Sequence, residues 1–104
     1  MIRHRLHQTF ALGHFNEGVQ WVRELNEACR KAGLTEGKLW AAGFGKVNET
    51  VLEWEYPDYA SYERDIKAFQ SNPETMKSFR KGVGILAPDT WPWDDVIEEA
   101  PTLA

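Results

Sequence analysis

The stretch that decides the fold is Val51-Leu52-Glu53-Trp54-Glu55-Tyr56-Pro57-Asp58, or VLEWEYPD at residues 51–58. Leucine, tryptophan and tyrosine alternate here with two glutamates, which is the period-two pattern of a β-strand with one apolar and one charged side. Asp58 follows the proline and is predicted to cap the next helix. The question that this stretch raises is what lies opposite the carboxylates of Glu53 and Glu55.

A second alternating segment opens the chain. Its apolar-leaning side carries Ile2, Leu6 and Phe10 together with the polar residues His4 and Gln8. Its other side carries Arg3, Arg5, His7 and Thr9. This alternation predicts a first strand with one side toward a core and one basic side.

The segment that follows predicts a helix. Apolar residues recur at helical spacing at six positions: Phe15, Val19, Val22, Leu25, Cys29 and Ala32. Asn16 is a candidate for the N-cap, and Gly33 suits the C-terminal end of this helix.

Two strand-like runs, residues 38–47 and 50–56, flank the polar pair Asn48-Glu49 and predict a hairpin. With Val47 opposite Thr50, the hairpin has two defined sides. A four-residue loop preserves these sides, whereas a loop with an odd number of residues would exchange them. The side of Trp54 then includes Gly43 and Gly45. The side of Glu53 then includes Trp40 and Phe44.

The rest of the chain predicts helical segments and a short last strand. Apolar residues at helical spacing follow Asp58, namely Tyr59, Tyr62, Ile66 and Phe69. Asn72-Pro73 restarts the helix, and Gly82 ends it. Val96 and Ile97 favour a final strand, which Pro92 restricts to the edge of a sheet.

The order β-α-β-β-α-β predicts an α+β, ferredoxin-like domain over residues 1–104, with both helices on one face of an antiparallel sheet. Residues 88–104 are interpreted as an irregular tail, an arm or an edge strand. The first and third strands are neighbours in this plan, so the basic side of the first lies beside Glu53 and Glu55. Such cross-strand pairs contribute about 0.2–1 kcal/mol each.

The charged side of the sheet is predicted to form a homodimer, sheet against sheet. It carries Arg3, Arg5, His7, Trp40, Phe44, Glu53 and Glu55. A face that mixes aromatic residues with charge pairs is poorly suited to bulk water, and a second copy related by a two-fold axis would cover it. A catalytic proton relay on this side is the alternative.

The helix side of the sheet is the candidate binding site. Its residues are His4, Gln8, Trp54, Tyr56 and Tyr62. Buried polar groups need hydrogen-bond partners or a ligand, and His4 is the candidate acid, base or polar anchor. The alternative is a packed layer in which the glycines let a helix approach and His4 bonds to a tyrosine or to backbone. Trp91-Pro92-Trp93 would close over this site, reach a partner subunit or pack onto its own domain.

Composition excludes several classes. The net charge is −4 with no basic run, which argues against nucleic acid as a partner. The single cysteine, Cys29, has helical spacing and is interpreted as buried. No metal-ligand, zinc or phosphate-loop motif is present, so neither metal nor cofactor is expected. The N-terminus lacks signal-peptide character and no run reaches the ~20 apolar residues of a membrane span, so we expect a cytoplasmic protein and no membrane partner.

Residues 51–79, VLEWEYPDYASYERDIKAFQSNPETMKSF, resemble the NIPSNAP-like branch of the dimeric α/β-barrel superfamily. The resemblance implies a dimeric α/β barrel and, for the wider superfamily, cofactor-independent monooxygenases, haem-degrading enzymes, lactone isomerases and proteins without known chemistry. It supplies no catalytic residue. The function predicted is binding of a small, partly apolar metabolite between sheet and helices, with cofactor-free oxygenation or isomerisation as the chemistry of an enzyme. The alternative is a non-catalytic homodimeric interaction protein.

Overall fold

The computed structural model describes residues 1–102, so residues 103 and 104 of the predicted domain lie outside the description. The elements are β1 Ile2–Thr9, α1 Phe15–Lys31, β2 Lys38–Ala41, β3 Glu49–Tyr56, α2 Tyr59–Ser71, α3 Pro73–Lys81, a 3-10 turn Gly82–Ile85, and β4 Trp93–Glu98. This order confirms the predicted plan, with the second helix divided into α2 and α3.

The four strands form one antiparallel sheet in the order β2-β3-β1-β4. β1 and β3 are the central neighbours, with Arg3 opposite Glu55 and Arg5 opposite Glu53. The predicted α+β, ferredoxin-like topology is therefore confirmed, and so is the alignment of the basic side of β1 with the acidic side of β3.

The core lies between α1 and the sheet. Its buried hydrophobic residues are Ile2, Phe10, Trp21, Val22, Leu25, Cys29, Leu52, Trp54 and Tyr56. Full burial of a large apolar side chain contributes about 1.5–3 kcal/mol. α1 passes close to β1 because Gly18 has no side chain: a Cβ there would lie 2.3 Å from Cε2 of Phe10. The inward residues of α1 at Val22, Leu25 and Cys29 match the predicted stripe.

The two ends of α1 differ from each other in how they are capped. The N-cap residue is His14, whose side chain makes no capping hydrogen bond, and Asn16 lies inside the helix, so the predicted asparagine cap is wrong. The helix instead places Glu17 in its first turn, where a carboxylate interacts favourably with the helix dipole. Gly33 follows the C-cap with φ of 73°, a left-handed conformation that glycine adopts without steric cost. The predicted glycine stop is confirmed.

Both later helices begin at the predicted caps. The Asp58 carboxylate accepts a hydrogen bond from the Ser61 amide at 2.8 Å, and this bond lowers the pKa of Asp58. The Asn72 side chain accepts from the amides of Glu74 and Thr75, with Pro73 at the start of α3. The chain therefore turns at Asn72, and the axis of α3 differs in direction from the axis of α2.

The hairpin is shorter than the sequence predicts. β2 ends at Ala41, which lies opposite Thr50, and residues 42–48 form the loop. The predicted partner of Thr50 was Val47, so the register is shifted by six residues. Because six is even, Trp40 still lies on the side of Glu53. Phe44 is fully exposed in the loop, so its predicted place on the sheet is wrong.

The same correction applies to Gly43 and Gly45. Both lie in the loop rather than on the helix side of β2, so they leave no space beside Trp54. A different glycine has that role. At Gly37, a Cβ would lie 2.9 Å from Cδ1 of Leu52 and 3.0 Å from Nε1 of Trp54. The chain entering β2 therefore packs closely against β3 at this point.

The tail forms the predicted edge strand. β4 pairs with β1 and includes Val96 and Ile97, and Pro92 precedes it. The pairing places Asp94 opposite Leu6 and Asp95 opposite Arg5. Consecutive strand residues point to opposite faces, so the two aspartates lie on different sides of the sheet. None of the helices in residues 1–102 combines the length and apolarity that crossing a membrane requires.

Candidate functional site

A cavity of about 210 Å³ lies between the helix side of the sheet and the α2–α3 pair. We call it the binding cavity. Its lining residues are His4, Trp54, Tyr56, Asp65, Ile66, Phe69, Gln70, Met76, Phe79 and Asp94. The walls are largely aromatic and aliphatic, and the polar groups are few, as in sites for small molecules.

His4 is the central polar residue of this cavity. It projects from β1, is 9% exposed, and lies in hydrogen-bond contact with Asp94, Nε2 to Oδ2, at 3.0 Å. An ionised carboxylate only accepts hydrogen bonds, so Nε2–H is the donor and a neutral ring has its lone pair at Nδ1. The imidazole stacks on Trp54 with ring centroids 5.2 Å apart and meets the edge of Tyr62 at 5.6 Å. These contacts fix the orientation of the ring.

A second polar pair links β3 to α2. The Tyr56 hydroxyl donates a hydrogen bond to Oδ2 of Asp65 at 2.9 Å, and the Thr35 amide donates to Oδ1 at 3.3 Å. Burial raises the pKa of Tyr56 well above its ordinary value, and the bond to Asp65 raises it further. Burial and the charge of Asp94 also raise the pKa of Tyr62. Both tyrosines therefore stay protonated at neutral pH and are donors rather than bases.

The structure brings most of the predicted binding residues together. His4, Trp54 and Tyr56 line the cavity, and Tyr62 contacts the rings of His4 and Tyr56. Gln8 lies elsewhere: it is four residues further along β1, about 13 Å away at the usual strand rise. Its side chain is buried, and its Nε2 atom has no hydrogen-bond partner among the described residues.

Sequence reasoning missed the two carboxylates of the site. Asp65 lies on the inward stripe of α2, three residues after Tyr62, so an acid within an apolar helical stripe was the available signal. Asp94 lies in the tail, and its position beside His4 depends on the pairing of β4 with β1. That pairing joins residues 90 positions apart, and no local pattern reveals it.

The opposite side of the sheet, which we call the outer face, carries the predicted charge pairs. Arg3 lies 3.3 Å from Glu55 and 3.7 Å from Glu53, and the latter glutamate is buried. The Arg5 guanidinium donates two hydrogen bonds to Asp95, at 2.9 and 2.7 Å, although Glu53 is its neighbour in the register. Arg5 thereby holds the pKa of Asp95 below its ordinary value.

Aromatic residues flank these charges on the outer face. Trp93 stacks on His7 with ring centroids 3.7 Å apart, so this part of the Trp91-Pro92-Trp93 segment packs onto its own domain. Trp93 remains 56% exposed and Trp40 55% exposed. His7 Nε2 lies 3.5 Å from Asp95. Within residues 1–102, no group of three or more histidine, cysteine or acidic side chains is arranged to hold a metal ion.

The sequence matches no protein-family model and no curated protein. Solved structures share its fold over almost the whole chain. An uncharacterised NIPSNAP domain protein from Burkholderia xenovorans is 16% identical with a TM-score of 0.76, over 100% of this chain and 99% of its own.

Two further solved structures show the same likeness. A NIPSNAP family protein from Agrobacterium tumefaciens is 11% identical with a TM-score of 0.71, over 95% of this chain and 92% of its own. An antibiotic biosynthesis monooxygenase is 14% identical with a TM-score of 0.70, over 97% of this chain and 100% of its own. The fold implied by the NIPSNAP-like resemblance is therefore confirmed.

Proposed function

We propose that this protein binds a compact, partly apolar metabolite in the binding cavity, with His4 as the polar anchor. The observation that carries the proposal is the His4–Asp94 pair at the edge of an aromatic cavity of about 210 Å³. A carboxylate and two aromatic rings hold this buried imidazole in one orientation. A layer that serves only packing does not require a histidine fixed in this way. The cavity volume suits a ligand of one or two rings.

The chemistry that this arrangement supports best is proton transfer without a cofactor. With Nε2 bound to Asp94, the other ring nitrogen of His4 is available to accept a proton from a ligand, and Asp94 stabilises the imidazolium that forms. Isomerisation of an acidic carbon begins with such a step, and so does oxygenation of an acidic carbon or a phenol, in which dioxygen is the oxidant that reacts with the deprotonated ligand. The fold that this chain shares with an antibiotic biosynthesis monooxygenase is compatible with that chemistry.

A thermal-shift screen of small aromatic and alicyclic compounds tests the binding proposal. We expect ligands that raise the melting temperature of the wild type and fail to raise that of His4→Ala. The control is His14→Ala, which removes an exposed histidine paired with Glu17 outside the cavity and should respond like the wild type. A turnover found for any such ligand should be lost in His4→Ala. A ligand response that survives in this variant would contradict the role given to His4.

We further propose that the outer face joins two copies of the chain into a homodimer. Exposed Trp40 and Trp93 on one sheet face support this, because aromatic surface of this kind is common at interfaces and unfavourable in water. The charges support a second copy as the occupant. The face carries arginines on β1 beside acids on β3 and β4, so a second copy related by a two-fold axis can set the arginines of one chain against the acids of the other.

Light scattering coupled to size-exclusion chromatography tests the homodimer. We expect the wild type at twice the chain mass and the double variant Glu53→Ala, Glu55→Ala at the chain mass. The control is Glu63→Ala, Glu74→Ala, which removes two exposed carboxylates from the helices and should remain a dimer. A monomeric wild type would overturn the proposal. If the double variant stays dimeric with a wild-type ligand response, the acids of β3 do not hold the interface.

A further inference from the structure

The charged side chains that line the binding cavity are acidic. Among the described residues 1–102, two carboxylates line it, Asp65 and Asp94, and no lysine or arginine does. The histidine among these lining residues is His4, and its Nε2 is already hydrogen-bonded to Asp94. Gln70 adds an uncharged amide. The lining therefore offers a ligand negative or neutral groups and no unpaired positive charge.

The hydrogen-bonding groups that remain free at the His4 end of the cavity are also of one kind. The Tyr56 hydroxyl is engaged with Asp65, and both oxygens of Asp65 accept bonds from within the protein. At the other end, Asp94 uses Oδ2 for His4, and within residues 1–102 no group donates to its Oδ1 or to Nδ1 of His4. The groups left for a ligand at this end are therefore acceptors.

An anionic ligand would fit this site poorly. A carboxylate or phosphate at the His4 end would lie beside the Asp94 carboxylate, and among residues 1–102 no lysine or arginine lines the cavity to supply a counter-charge. A hydroxyl or amine group would instead donate to the free acceptors beside His4. A hydrogen bond to a charged acceptor is among the stronger ones that a protein makes.

We propose that the binding cavity selects neutral or cationic ligands with a hydroxyl or amine donor on a compact apolar body, and rejects carboxylates and phosphates. This selectivity rests on the proposed binding function. Its source is the pairing of β4 with β1, because that pairing brings the Asp94 carboxylate to the cavity lining beside His4. The apolar body would lie against Trp54, Phe69 and Met76.

Calorimetric titration of the full chain at pH 7 with matched probes tests the selectivity. The bicyclic set is 2-naphthol, 2-methoxynaphthalene and 2-naphthoate, and the monocyclic set is 4-ethylphenol, 4-ethylanisole and 4-ethylbenzoate. Within each set the apolar body is the same. The phenol can donate a hydrogen bond, the ether can only accept one, and the carboxylate carries a negative charge. We expect the phenol to bind about tenfold more tightly than the ether, and the carboxylate to bind most weakly.

The variant Asp94→Asn identifies the source of the selectivity. Removing this charge should narrow the affinity ratio between phenol and carboxylate about tenfold. The control Glu98→Gln removes a carboxylate from the same strand and face, outside the cavity lining, and should leave the ratio unchanged. A wild type that binds the carboxylates as tightly as the phenols overturns this proposal and leaves the binding function intact. An unchanged ratio in Asp94→Asn overturns it too. If no probe of either set binds, the binding function itself fails and the selectivity with it.

Discussion

Replacing His4 separates its packing role from its chemical role. His4→Ala removes the ring of a side chain that is 11% exposed and that contacts Trp54 and Tyr62 at centroid distances of 5.2 and 5.6 Å. Each aromatic contact contributes about 0.5–1.5 kcal/mol beyond burial, and the truncation also enlarges the cavity. We therefore expect His4→Ala to lower the free energy of unfolding by about 2–4 kcal/mol.

His4→Phe keeps the ring and removes the nitrogens. The lost hydrogen bond to Asp94 is worth about 1 kcal/mol, and the Asp94 carboxylate, whose side chain is 65% exposed, regains water. The more apolar phenyl ring offsets part of this cost, so we expect His4→Phe to unfold within about 1 kcal/mol of the wild type. Ligand binding and any turnover should nevertheless be lost in both variants.

Urea denaturation followed by tryptophan fluorescence and circular dichroism measures both free energies, and calorimetry measures binding. The refuting result is a His4→Phe variant as unstable as His4→Ala. In that case the bond between His4 and Asp94 holds β4 to β1 and the histidine is structural. A His4→Phe variant of normal stability that still binds ligand would show that the nitrogens have no part in binding.

Three further predictions concern packing and pH. Gly18→Ala should destabilise the protein by about 1–3 kcal/mol, measured by urea denaturation, because its Cβ overlaps the buried ring of Phe10. Burial raises the pKa of Cys29 to about 11, so the folded state holds the thiol proton more tightly than the unfolded state. As pH rises from about 8.5 to 11, the free energy of unfolding should fall in the wild type by on the order of 2 kcal/mol more than in Cys29→Ala. Denaturant titrations under reducing conditions measure this difference. Arg5 lowers the pKa of Asp95, so the ion pair stabilises the folded state at neutral pH, and Asp95→Asn removes that stabilisation. The difference in free energy of unfolding between wild type and variant should narrow as pH falls below about 4. A difference that stays constant with pH would contradict the ion pair.

The sequence predicted the parts of the fold that depend on local periodicity. The alternation in β1 and β3 assigned every inward and outward residue of the central strands correctly, because a strand has an exact period of two. The same rule kept Trp40 on the correct face despite a wrong hairpin register. Capping at Asp58 and Asn72 was also predictable, because these side chains bond to amides only two or three residues away.

The sequence could not predict what depends on distant pairing or on loop geometry. The hairpin loop contains Gly43 and Phe44. Residues around them alternate in the same way as those of β2, so the sequence predicts a longer strand, although the backbone leaves the sheet after Ala41. The Arg5 partner was equally hidden, since the guanidinium reaches Asp95 on β4 rather than the glutamate beside it on β3. Both aspartates of β4 acquire their roles from an edge strand that local composition indicates only weakly.

The binding cavity follows from the break between α2 and α3. α3 packs on α1, where the Trp21 indole donates a hydrogen bond to the Ser78 carbonyl at 2.8 Å and Gly82 leaves room for the ring. α2 has no fully buried residue, since α3 has taken the place against α1 that a continuous helix would occupy. The bond from Tyr56 to Asp65 then tethers α2 at a distance from the sheet. A space lined largely by apolar side chains remains between them. The sheet presents to it the Tyr56 hydroxyl, which is bonded to Asp65, and the polar groups of His4 and its partner Asp94 on β4.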